Sequence, residues 1–155
     1  MLWVIFHRGS GLGNQLFRYI TTRTLALDKK YGFGMVAPEF FKGSSFMNLD
    51  MGKNHDIKYL IEQNSGKVIP QLDSFYANFT NLPREIWEEK TPYYNPEINY
   101  LEDNTIIDGN FEDSRYWEHR MDKIGEWLKT DPLYIPDDVC VIGFRGGEYQ
   151  VIPEL

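Results

Sequence analysis

The chain has 155 residues, enough for one α/β domain with a real core and too few for two full ones. Hydrophobic residues make up 42% and charged residues 25%, globular values that argue against a disordered chain. The net charge of −7, from 16 basic and 23 acidic residues, disfavours a nucleic-acid partner, because no Lys/Arg cluster offsets the field.

The lone Cys140 forms no internal disulfide and fits a reducing compartment. The opening run "MLWVIF" is too short for a membrane span or a signal-peptide core. The expectation is a cytoplasmic chain with no integral membrane segment. On that footing the "NFT" sequon at Asn78 is read as loop.

Residues 2–7 form a continuous apolar run of strand length, as in a strand buried on both faces of a parallel sheet. Leu16, Ile20, Thr24, Leu27 and Tyr31 then recur at helical spacing, with Phe17 widening the stripe. Asn14 stands where an N-cap belongs, and Gly32 where a helix stops. Residues 34–37 read as a second strand, closing a βαβ unit with a right-handed crossover. The middle is less legible: 57–61 suggests a short helix and 67–69 a short strand, between connections punctuated by Pro70, Pro83, Pro92 and Pro96.

Residues 105–111 predict a strand ending in Gly109. Asp113 or Ser114 then caps a helix whose stripe is Trp117, Met121, Ile124 and Leu128. Residues 129–138 read as a linker, and 139–144 as another buried strand containing Cys140 as a core residue. The fold class is α/β, a Rossmann-like parallel sheet with flanking helices. Three strands end in glycine-containing turns, at Gly9 to Gly13, at Gly109 and at Arg145 to Gly147. In open α/β sheets ligands bind at that edge.

The first loop does not fit the common nucleotide patterns. GxGxxG requires a glycine where Asn14 or Leu16 stands, and the GK[ST] ending of the ATPase loop is missing. Its glycines still permit positive φ and close backbone approach, and the following helix presents free N–H groups to an anion. A tight turn that holds no ligand is the alternative. His7, at the end of the first strand, reads either as a ligand contact or as a hydrogen-bonded structural residue. His55 and His119 lack partners at metal-ligand spacing, so no metal site is expected.

Three segments carry a resemblance. "GSGLGNQLFRYI", from Gly9, is similar to the GGLGNQ(L/M)FQYA stretch of α-1,2-fucosyltransferases. "GNFEDSRYWE", from Gly109, resembles their GYFQS-x-KYF segment, and "VIGFRGGEY", from Val141, their VxHxRRGDY motif. The three occur in the family's order. The resemblance implies a GT-B architecture, with residues 1–130 as its N-terminal Rossmann-like domain and 131–155 as linker and first motif of a truncated donor-binding domain. It implies transfer of fucose from GDP-fucose to a galactoside hydroxyl with inversion, without metal or further cofactor. The partners it implies are a sugar nucleotide and a glycan acceptor, and the incomplete sheet would allow a homo-oligomer.

Carried over by position, Arg145 matches the diphosphate-binding arginine, Gly11, Gly13 and Asn14 match the cleft loop, and Gly147 completes the donor-binding set. Glu148 matches the motif aspartate and is one candidate for the general base, a solvated or Arg-paired carboxylate being the other reading. Gly143 replaces the motif histidine, Gly146 replaces the second arginine, and Ser10 and Arg18 alter the first motif. A non-catalytic nucleotide- or glycan-binding module of the same descent is therefore the alternative function. Little transfer is expected from the chain by itself.

Overall fold

The structure is a computed structural model that describes residues 1–53, 86–89, 91–131 and 134–140. Among the described residues four parallel strands form one sheet: β1 (Leu2–Ile5), β2 (Phe33–Val36), β3 (Ile86–Glu88) and β4 (Thr105–Asp108), in the order β2-β1-β4-β3. The α/β class and the parallel sheet read from the sequence are present. The strand "IWE" of β3 falls in the stretch that the sequence left unassigned.

β1 is central because its run has no polar face to present to water. Leu2, Val4 and Phe6 pack into the cluster that holds Tyr19, Ile20, Leu25 and Ala26, while Trp3 and Ile5 on the opposite face are as deeply buried. Side chains of this size contribute about 1.5–3 kcal/mol each when removed from water. β1 pairs with β2 from Leu2↔Phe33 to Ile5↔Val36, and with β4 from Leu2↔Thr105 to Val4↔Ile107. Phe6 still donates to the Val36 carbonyl (3.0 Å), after which the chain turns and Ser10 N–H reaches the His7 carbonyl (3.2 Å).

Helix α1 (Leu12–Lys29) crosses from β1 to β2. Its N-cap is Gly11, the last residue with extended backbone, and Asn14 lies inside the first turn, so the expected cap at Asn14 is corrected. Nor is Gly32 the stop. Lys30 takes the left-handed conformation (φ 57°), and Tyr31 N–H closes on the Ala26 carbonyl at 2.8 Å. The buried face runs through Gln15, Arg18, Tyr19, Thr22, Leu25 and Ala26, with Ile20, Thr21 and Thr24 buried beside it. Of the expected stripe, Leu27 is 45% exposed and Tyr31 lies past the helix end.

The second predicted helix is broken. Asp113 does cap it, accepting from Arg115 N–H at 3.1 Å. Two 3-10 turns, Ser114–Tyr116 and Glu118–Arg120, then flank Trp117, whose φ of −146° is not helical, before α2 (Met121–Trp127) begins. That break turns Met121 to solvent, while Ile124 stays buried and Trp117 and Leu128 partly so. Cys140 is exposed and outside any strand, since the chain turns at Pro136 to Val139, and its expected core role is corrected. The expected elements at 57–61 and 67–69, the sequon at Asn78, His55 and the strand beyond 140 lie outside the described residues. No helix among the described residues is long and apolar enough to cross a membrane.

Candidate functional site at the carboxyl edge of the sheet

All pairings are parallel, so every strand delivers its carboxyl end to one edge. β1 and β4 are neighbours there, and the connection leaving β1 runs through α1 to β2, away from β4. The loop after β1 and the turn after β4 therefore diverge at that edge, the place where open α/β sheets take ligands.

A charged network lines it. His7 Nε2 lies 2.8 and 3.0 Å from the two oxygens of Asp108, the last residue of β4. Arg18, from the second turn of α1, reaches the same carboxylate through Nη1 at 2.5 Å. It also donates to the Ile5 carbonyl (3.1 Å) and, through Nη2, to Asn110 Oδ1 (3.3 Å). Burial alone would raise the Asp108 carboxyl, but the His7 hydrogen bond and the Arg18 guanidinium outweigh it and hold it below the ordinary carboxylate range. Asp108 is thus an anion that orients His7. Because an ionised carboxylate only accepts, Nε2 carries a hydrogen.

Glu89, just past β3, fixes the neighbouring turn. Its Oε2 accepts from Asn110 N–H (2.7 Å) and Phe111 N–H (2.9 Å), and its own N–H donates to the Asp108 carbonyl (2.8 Å). Phe111 sits at φ 54°, and Ala37, just past β2, at φ 57°. Two side-chain-bearing residues are therefore held in the left-handed region at this edge, which costs on the order of 1–3 kcal/mol each.

The glycines of the first loop differ from one another. Gly9 has φ +93°, the one position of the three where the backbone itself demands glycine. Gly11 and Gly13 do not have positive φ, and a β-carbon on either would meet nothing within 4 Å. The fold's own packing leaves these two unexplained, whereas a ligand approaching the backbone would explain them. The start of α1 has no side-chain cap and no acidic residue in its first turn, so its N–H groups and positive dipole end face outward. Asn14, half-buried on that turn, makes no side-chain hydrogen bond within the described residues.

Gln15 anchors the loop. It is fully buried, its Nε2 donates to the Phe40 carbonyl (2.7 Å) and its Oε1 accepts from Lys42 N–H (2.9 Å). Lys42 in turn reaches the Gly9 carbonyl through Nζ at 3.3 Å. The loop, the start of α1 and the chain after β2 are thereby tied together.

Of the residues expected from the sequence, Gly11, Gly13 and Asn14 lie together at this edge. Arg145, Gly147 and Glu148 lie outside the described residues. Sequence reasoning left Asp108, Gln15 and Glu89 without a role and took Arg18 only as a departure from a motif. One signal was available for Asp108: a carboxylate directly after an apolar strand run. Among the described residues, no group of three His, Cys, Asp or Glu side chains is placed to hold a metal ion. Compared with protein families, curated proteins and solved structures, the chain matches none.

Proposed function

We propose that the chain is a fucosyltransferase-like glycosyltransferase, transferring fucose from GDP-fucose to a galactoside hydroxyl with inversion at the anomeric carbon. One observation carries the reading. Two of the three segments that resemble α-1,2-fucosyltransferases, distant in sequence, meet at the ligand edge. Arg18 of the first bonds Asn110 of the second at 3.3 Å, and Phe17 stacks on Trp117 with ring centroids 5.9 Å apart.

The chemistry suits the residues. Departure of GDP builds negative charge on the diphosphate. The outward N–H groups of α1 would take part of it, worth about 0.3–1 kcal/mol at an exposed site and up to ~2 when partly buried. Gly11 and Gly13 leave room for phosphate oxygens to approach the backbone. Arg145 would supply a planar guanidinium, which binds two phosphate oxygens at once. The acceptor hydroxyl attacks from the opposite face.

Gly143 and Gly146, standing where the motif carries histidine and its second arginine, favour a second reading: a module that binds sugar nucleotide or glycan without turnover. Titration with GDP, GDP-fucose and ATP, followed by an assay for fucose transfer, separates the two. The first reading requires both guanine-nucleotide binding and product, whereas the second requires no product.

A further inference from the structure

We propose that the groove between the turn after β2 and the chain after α2 binds a neutral saccharide unit. It shares no residue with the site at the sheet edge, and the proposal does not depend on the glycosyltransferase reading. The groove has a volume of about 380 Å³ and is walled by residues 44–48 on one side and 129–131 on the other. That volume lies at the small end of the range for ligand pockets, about 300–1,000 Å³.

Both walls are fixed from the core outward. Phe41 and Leu49 are buried at either end of the first wall, and the Phe41 ring stacks on Phe6 with centroids 5.8 Å apart. A β-carbon on Gly43 would overlap the Phe41 ring, so the tight turn here depends on glycine. The Gly43 carbonyl accepts from Phe46 N–H (3.0 Å) and Met47 N–H (2.8 Å), and the Phe46 side chain is left 59% exposed. The second wall follows Trp127, whose ring centroid lies 4.6 Å from the Arg23 guanidinium, and Leu128, which packs against the core cluster. Walls anchored in this way lower the ordering cost of binding.

The lining chemistry selects the ligand. Among the described residues, the side chains of Ser44, Ser45, Asn48, Lys129 and Asp131 make no hydrogen bond or ion pair. Hydroxyl and amide groups both donate and accept, and a carboxylate accepts from two adjacent hydroxyls, which matches what a sugar ring offers. Phe46 supplies an apolar surface for the C–H face of that ring. The two charged groups are opposite in sign. A phosphate would face Asp131 and an amine would face Lys129, whereas an uncharged ligand meets neither penalty.

The test is a titration of the full 15N-labelled chain, read at the backbone amides of both walls. The probes are galactose, glucose, mannose, fucose and N-acetylglucosamine, each to about 100 mM, with inorganic phosphate and ethylamine as charged controls. At least one sugar is expected to shift amides of both walls together and to saturate, while the charged probes leave them in place. Phe46→Ala and Asp131→Ala are each expected to weaken that sugar about tenfold. Both side chains are exposed, so neither change removes a core contact. No saturating shift with any sugar, or a saturating shift with phosphate or ethylamine alone, overturns the proposal. So does affinity within about twofold of the parent in both variants. GDP affinity, measured separately by calorimetry, reports on the glycosyltransferase reading, so the two failures are distinct.

Discussion

Arg18 Nη1 lies 2.5 Å from Asp108 Oδ1 while also donating to the Ile5 carbonyl, so one buried guanidinium joins α1, β1 and β4 beneath the candidate site. Removing one partner of a buried pair leaves the other uncompensated, at a cost of about 3–5 kcal/mol. Arg18→Met keeps the aliphatic stem and removes the charge, and it should lower unfolding free energy by about that amount in urea denaturation. A loss under about 1 kcal/mol would show that the network is incidental.

The same carboxylate predicts how stability responds to acid. Asp108 is held below its ordinary value in the folded state, so its contribution is complete above about pH 4, where the unfolded chain is already ionised. That contribution is lost as pH falls through the lower folded value. Asp108→Asn should therefore be less stable than the parent at pH 7, and the difference should shrink steadily below pH 4. Denaturant midpoints measured from pH 7 to pH 2 check the sign, and a gap that widens on acidification contradicts it.

Gln15 should behave as a structural tie. Its amide serves both the Phe40 carbonyl and the Lys42 N–H from a fully buried position. Gln15→Leu strands both groups, at about 1–3 kcal/mol for each left unsatisfied in the interior. Native-state hydrogen exchange should show the Lys42 amide exchanging markedly faster in the variant, while amides of β1 and β4 slow or quicken only with global stability.

Two glycines should answer differently to alanine. At Gly34 the added carbon would overlap the Trp3 ring and lie 2.6 Å from the Lys53 carbonyl oxygen, so Gly34→Ala should destabilise by about 1–3 kcal/mol. At Gly13 nothing stands within 4 Å, and helix propensity predicts a gain of up to about 1 kcal/mol. Gly13→Ala should therefore melt higher and bind GDP more weakly. A variant that melts higher and binds GDP as tightly as the parent would remove the loop from the ligand's path.

Much of this architecture was legible because β1, β2 and β4 are apolar runs bounded by glycine or acidic turns. β3 was not, since three residues carry no periodicity. The buried face of α1 escaped for another reason: it includes Gln15, Arg18 and Thr22, polar residues hydrogen-bonded to Phe40, Lys42, Asp108 and the Arg18 carbonyl. Hydropathy therefore pointed partly round the helix, to a stripe that includes the exposed Leu27. Asn14 looked like a cap because its residue type favours one, but the backbone turns helical earlier, after Gly11. At the site, the glycine loop was visible as composition. The His7–Asp108 pair was not, because only the pairing of β1 with β4 brings residues so distant in sequence together.

Calorimetric titration of the parent and Arg145→Ala with GDP, GDP-fucose and ATP in chelator tests most directly the proposal that this chain holds the diphosphate of a guanine nucleotide sugar. The parent should bind GDP and GDP-fucose in preference to ATP without added metal. Arg145→Ala, still folded by circular dichroism, should lose about 10- to 150-fold in GDP affinity, the equivalent of one charge-assisted hydrogen bond of roughly 1.5–3 kcal/mol. Equal affinity for ATP and GDP, binding restored only by Mn²⁺ or Mg²⁺, or unchanged GDP affinity in the folded variant would contradict the account.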